Sequence, residues 1–134
     1  MKVYFDTNCI IYLLERNPAW EALVVARIAT LRAAGDELAV GDLSRAECLI
    51  GPFKNGDAGL VARYRAFFAD PDVISLPITV PIFERAAQMR AKYGSLKLPD
   101  ALHLATALEH GCGSFVTGDV KLATCTEIVV EVLK

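Results

Sequence analysis

The sequence predicts an α/β fold: a central parallel sheet with helices on both faces. Three observations carry that expectation. Short β-prone runs alternate with helical segments along the whole chain. Gly and Pro fall singly between those segments, with no repeat, linker or low-complexity tract. An apolar fraction of 54% with 22% charged residues excludes a disordered tail, a collagenous repeat and a highly basic nucleic-acid sponge. At 134 residues the chain is expected to be one domain over residues 1–134.

The elements follow in order. Lys2 to Phe5 reads as the first strand, followed at once by a helix from about Asn8 to Glu15 that ends before Asn17-Pro18. Pro18 suits a helix start, and Trp20, Val24, Ile28 and Leu31 recur at helical spacing up to Gly35. Leu23 and Val25 widen that stripe and suggest two buried sides. Leu38 to Val40 is a second strand, Ser44 to Ile50 a short helix ended by Gly51-Pro52, and Lys54 to Asp57 an exposed loop. Leu60, Val61, Tyr64, Phe67 and Phe68 make an amphipathic helix capped by Asp57 and stopped at Asp70-Pro71. Val73 to Leu76 is a third strand, and Thr79 caps a helix whose Ile82, Ala86, Met89 and Tyr93 share a face up to Gly94. A last helix from about Pro99 to His110 leads through Gly111 to strands at Ser114 to Val116 and Ile128 to Val132.

In a parallel sheet, functional groups gather outside the carboxyl ends of the strands. Asp6, Asp42, Glu47 and Asp119 follow strands, and Asp100 opens a helix running antiparallel to them, so these five share one edge. Asp36, Glu37, Asp72 and Glu127 precede strands and fall at the opposite edge as solvated charges. Crowded carboxylates raise one another's pKa, and a hard divalent cation removes that cost. Oxygen ligands without Cys or several His favour Mg²⁺ or Mn²⁺ over zinc, and such ions act on phosphate oxygens. Each acid also has a structural role open to it. Ser44-Arg45-Ala46-Glu47 fits a capping box, Asp100 complements a helix dipole, and Asp6 and Asp119 suit turns. Those roles would have to hold independently at four places that the topology brings together.

The chain resembles the PIN-domain family of metal-dependent ribonucleases, and among them the VapC toxins of toxin–antitoxin operons. The resemblance rests on Val3-Tyr4-Phe5-Asp6-Thr7-Asn8, Ser44-Arg45-Ala46-Glu47, the stretch from Leu98 to Ala107 and Val116-Thr117-Gly118-Asp119. It implies a PIN-like three-layer sandwich with strand order 3-2-1-4-5. It also implies an acidic quartet, Asp6, Glu47, Asp100 and Asp119, holding one or two Mg²⁺ or Mn²⁺ ions for hydrolysis of RNA phosphodiesters. Thr7, Asn8, Ser44 and Thr117 match positions that hold the acids and the water in place. The chain departs from the family pattern at Gly118, where Asn is common, and in lacking a second acid within Val120-Lys121-Leu122. As partners the resemblance implies an RNA substrate, a second copy of the chain and a VapB-type antitoxin.

The remaining residues refine this expectation. His103 lies one helical turn from Asp100 and is read as a polar surface histidine, with a metal contact or proton relay as the alternative; His110 is read as a helix C-terminal cation. Arg45, Lys54, Lys97 and Lys121 lie in or beside the loops of the carboxyl edge, where they can hold RNA phosphates. Setting four acids aside turns the net charge of −2 into +2, so a metal-loaded face would attract phosphate. The broad apolar stripes around Trp20 suit either core or a groove for an antitoxin helix. Cys9, Cys48, Cys112 and Cys125 have no metal-ligand spacing and read as reduced core thiols. No apolar run reaches the ~20 residues of a membrane span, and no cleavable signal follows Lys2, so a cytoplasmic protein is expected. Three rivals remain. A haloacid dehalogenase-type phosphatase needs an Asp where Asn8 stands. A receiver domain needs acids where Thr7 and Pro77 stand. A catalytically inactive interaction module would keep the fold alone.

Overall fold

The strands of the computed structural model, which describes residues 1–134, are Lys2–Phe5 (β1), Glu37–Gly41 (β2), Val73–Leu76 (β3), Ser114–Thr117 (β4) and Val129–Val132 (β5). The helices are Thr7–Leu14 (α1), Glu21–Ala33 (α2), Leu43–Lys54 (α3), Ala58–Ala69 (α4), Val80–Lys92 (α5) and Leu98–Glu109 (α6), with a 3₁₀ turn at Val120–Thr124. The strands are parallel throughout, in the order β3-β2-β1-β4-β5. The expected three-layer α/β sandwich is the fold observed. No helix is long and apolar enough to cross a membrane.

Strand pleating sorts the core into two halves, because successive side chains leave opposite faces. Val3 and Phe5 of β1, with Leu38 and Val40 of β2, join Cys9, Ile10, Val24, Leu31, Tyr64 and Phe68 under α1, α2 and α4. Tyr4, Ala39 and Phe115 point the other way, against Ile82, Met89, Ala101 and Leu104 of α5 and α6. The register places Tyr4 beside Ala39 and Phe115, and its ring stacks on Phe115 at 5.0 Å. β1 is central and buried, so its carboxyl end delivers Asp6 into the middle of the edge.

Several boundaries differ from the sequence expectation, each for a local reason. Pro18 does not open α2. The Asn17 side chain accepts the amides of Ala19 and Trp20, building a turn that delays the helix to Glu21. Val25 is exposed, so α2 has one buried side, carried by Val24 and Leu31. Gly51-Pro52 does not end α3, which runs on to Lys54. A proline inside a helix costs about 3 kcal/mol through its missing donor. Here Pro52 is buried, and its last turn is closed by Asn55 N–H to the Gly51 carbonyl and Asp57 N–H to the Pro52 carbonyl, both 2.9 Å. The predicted caps at Asp57 and the stop before Asp70-Pro71 are present: Asp57 Oδ1 accepts the Leu60 amide at 3.0 Å. All four cysteines are free and buried, and burial pushes the Cys9 and Cys48 thiols up to about 12.

Candidate functional site

Asp6 ends β1 and caps α1, a junction extended by its own amide, which donates to the Val116 carbonyl at 2.9 Å. Its Oδ1 accepts the Thr7 amide and its Oδ2 the Thr117 hydroxyl, both at 2.8 Å. Only 6% exposed, this carboxyl has no Lys or Arg partner. Burial raises its pKa, and the Asp100 charge adds to the rise. The charge of His103 and the hydrogen bonds from Thr117 and Thr7 offset part of it.

Glu47 reaches the same place from the second turn of α3. Its Oε1 accepts the Thr7 hydroxyl at 2.8 Å and meets His103 Nε2 at 2.5 Å. Burial acts to raise this carboxyl, but the His103 hydrogen bond and charge and the Thr7 hydroxyl outweigh it, and the net shift is downward. The capping-box alternative for Ser44 and Glu47 is not what forms: Ser44 lies inside α3 and its hydroxyl meets that of Thr7 at 2.8 Å.

The other two acids approach from the opposite side. Thr117 Oγ1, which donates to Asp6, also accepts the Asp119 amide at 3.0 Å. Asp119 Oδ1 takes the Lys121 amide at 3.0 Å, and Lys121 Nζ lies 4.0 Å from Oδ2. Asp100 stands at the start of α6, where its Oδ2 accepts the Lys97 amide at 3.1 Å. Both therefore perform the capping work open to them, and both stay on the edge that carries Asp6. No three Asp, Glu, His or Cys side chains stand so as to hold an ion in their present rotamers. The donor set nevertheless suits a hard cation: carboxylate oxygens backed by hydroxyls, with no Lys or Arg neutralising Asp6, Glu47 or Asp100.

Of the supporting residues expected, Thr7, Ser44 and Thr117 are buried and bonded into the site, whereas Asn8 is exposed and its side chain makes no hydrogen bond. Lys54 and Lys97 are exposed and unpaired by any carboxylate. Arg45 is tied into the fold: it contacts Asp42 at 3.4 Å and Ser75 at 3.3 Å and lies 4.9 Å over the Phe68 ring. His110 caps α6 and meets the Pro77 carbonyl at 2.9 Å.

His103 corrects the sequence expectation most. It is not a surface histidine but 2% exposed, with Tyr4 Oη 2.6 Å from Nδ1. Burial, then the charges of Asp6, Cys112 and Glu47, push the Tyr4 phenol well above its ordinary value, so it stays protonated. The available signal was the company His103 keeps, Ala101, Leu104 and Ala105 on a helix apolar on several sides. Two further residues of this region belong to none of the sequence motifs. Tyr12 packs where a side chain at Gly118 would go, its Cε2 3.0 Å from the Cβ position, which accounts for glycine at that departure from the family pattern. Glu15, held by the Tyr64 hydroxyl at 2.5 Å, helps Glu47, Cys48, Asn55 and Asp57 line a cavity of about 200 Å³.

Comparison with known proteins adds the following. The model of the family described as "PIN domain" matches residues 3–127. No curated protein matches. Among solved structures, VapBC2 from Rickettsia felis bound to a promoter DNA fragment is similar at TM-score 0.81 and 15% identity, covering 100% of both chains. A toxin–antitoxin complex from Klebsiella pneumoniae is similar at TM-score 0.74 and 27% identity over 96% of each chain. The VapC20 toxin of Mycobacterium tuberculosis, described as cleaving the sarcin–ricin loop, is similar at TM-score 0.78 and 15% identity, over 98% of this chain and 99% of that one.

Proposed function

The chain belongs to the PIN-domain family, and from that premise we propose that it is a Mg²⁺- or Mn²⁺-dependent endoribonuclease, the toxin of a VapBC-type pair. In this reading residues 1–134 act as one domain, in the cytoplasm, as a homodimer neutralised by a VapB-type antitoxin. Asp6, Glu47, Asp100 and Asp119 hold one or two ions. The observation that carries it is Asp6, a buried carboxylate without a Lys or Arg partner, facing the charge of Asp100. Such an arrangement is costly in an apo protein and is relieved by a bound cation.

An ion bound there would supply an activated water and offset charge on the scissile phosphate. The chain's own residues do the rest. Thr117 and the Thr7 amide fix both oxygens of Asp6, and Thr7 with His103 fixes Oε1 of Glu47. Lys97 and Lys121 present cations beside Asp100 and Asp119 for RNA phosphates, with Arg45 contributing charge from its fixed place. Lys54 is exposed at the far end of α3, about 16 Å along the helix from its start. Because no 2′-hydroxyl attack is needed, the products carry a 5′-phosphate and a 3′-hydroxyl. Structured RNA incubated with purified protein and Mg²⁺ or Mn²⁺ tests the reading. Cleavage should stop with EDTA and in Asp6→Asn; metal-independent cleavage, or a 2′,3′-cyclic phosphate product, overturns it.

One observation favours a second reading, an inactive module that keeps the fold: Asp100 and Asp119 each already serve a backbone amide. A Mn²⁺ titration separates the two, since the inactive module takes up no ion.

A further inference from the structure

Glu47 is the one acid of the quartet whose carboxylate is gripped by two other side chains on the same oxygen. Every hydrogen bond it accepts goes to Oε1, and Oε2 accepts none. The grip reaches deep into the core. Ser44 Oγ lies 2.8 Å from Thr7 Oγ1, which donates to Oε1. His103 Nε2 lies 2.5 Å from the same oxygen, and Tyr4 Oη lies 2.6 Å from His103 Nδ1. An ionised carboxylate only accepts, so Nε2 carries the hydrogen; in the neutral imidazole Nδ1 then accepts, and the Tyr4 hydroxyl is its donor. Each donor thus has its partner, and the chain of donors runs outward from Tyr4 to Glu47.

Its anchor does not move readily. Tyr4 lies on the central strand, fully buried and stacked on Phe115, and the His103 ring meets it edge-on at 5.9 Å. Gly41 at the end of β2 is the neighbour that leaves room: a side chain there would collide with the Tyr4 hydroxyl and reach within 3.6 Å of His103 Nδ1.

We propose that His103, braced by Tyr4, is a positioning residue that holds Glu47 by Oε1 so that Oε2 is presented to the metal ion. The inference rests on the reading of Glu47 as a metal ligand. It makes His103 a determinant of metal affinity that never touches the ion. Outer partners of this kind typically set affinity or activity by about 10–100-fold.

The test compares wild type with H103L, H103Q and Y4F/H103L. H103L removes the donor, H103Q returns an N–H near the Nε2 position, and Y4F/H103L also removes the hydroxyl that H103L strands. Crystal structures of the metal-free proteins report the Glu47 rotamer, calorimetry with MnCl₂ reports affinity, and RNA cleavage separates kcat from KM. The expected result is a displaced Glu47 in H103L, Mn²⁺ binding weaker by about 10–100-fold, a lower kcat with KM for RNA unchanged, and recovery of most of each loss in H103Q. If H103L does not fold, Y4F/H103L carries the same comparison. Glu47 in its wild-type place in the leucine variants, or Mn²⁺ affinity within about twofold of wild type, overturns the proposal. If wild type itself neither binds Mn²⁺ nor cleaves RNA, the ribonuclease reading falls, and the Glu47 rotamer still decides whether His103 positions it.

Discussion

The Thr117 hydroxyl, at the end of β4, donates to Oδ2 of Asp6, at the end of β1, across 2.8 Å. The same oxygen of Thr117 accepts the Asp119 amide, so one small side chain couples two strand ends of the edge. Thr117→Val keeps the shape and removes both interactions. Hydrogen bonds to charged groups contribute about 1.5–3 kcal/mol, so urea unfolding at neutral pH should show a loss within that range. A loss below about 0.5 kcal/mol, the size of an ordinary surface change, would mean that Thr117 does not secure Asp6.

Asp6→Asn should behave in the opposite sense. The carboxyl is buried, lacks a Lys or Arg partner and faces the Asp100 charge, so neutralising it relieves desolvation and repulsion together. In EDTA the variant should melt about 2–5 °C above wild type. MnCl₂ should raise the wild-type Tm and leave the variant unchanged, since a ligand at 100 times its Kd adds about 2.7 kcal/mol. A large drop in the EDTA Tm would show that Asp6 acts mainly as the cap of α1.

Stability of the metal-free protein should depend on pH through two carboxyls with opposite signs. Asp6 titrates above its ordinary 3.8 in the fold, so its contribution is fully present below that value and is lost as pH rises through the folded pKa. Glu47 titrates below its ordinary 4.5, so its contribution is present above that value and is lost as pH falls through the folded pKa. The advantage of Asp6→Asn over wild type should therefore shrink as pH falls toward about 4. The deficit of Glu47→Gln should be full at neutral pH and shrink further into acid. Melting both variants beside wild type from neutral pH down to about 3 measures the two trends; parallel curves for all three would contradict them.

Much of this arrangement is legible in the sequence because it follows from strand ends. Asp6 and Asp119 sit just after apolar runs, and a parallel sheet leaves such positions on one edge wherever the helices pack. Packing between elements is less legible. His103 lies on a helix whose apolar residues spread around several sides, so its own spacing cannot say which side meets the sheet. The answer needs the β1–β2 register that sets Tyr4 beside Ala39, two residues short of Gly41 and on the same face of the strand. Pro52 misleads for a related reason, since a helix-breaking residue is tolerated where its ring is buried, and burial is a property of the partner surface. Asn17 shows a third kind of difference: its side chain claims two amides ahead of the helix, a local contest that Pro18 alone does not reveal.

Two glycines give opposite predictions for the same substitution. Gly51 lies inside α3 with nothing within 4 Å of its Cβ position, so Gly51→Ala removes backbone freedom from the unfolded chain at no steric cost. It should add about 0.4–1 kcal/mol, leaving Mn²⁺ binding and cleavage unchanged. Gly41→Ala places its methyl against the Tyr4 hydroxyl, which is pinned between Phe115 and His103 and cannot swing aside within a filled core. Overpacking of this kind costs about 1–3 kcal/mol, and the displaced phenol should disturb His103 and, through it, Glu47. Urea unfolding and MnCl₂ calorimetry on the pair distinguish a steric effect at one strand end from a general effect of adding a methyl group. Equal stability for the two variants would show that the Tyr4 hydroxyl has room that its neighbours do not indicate.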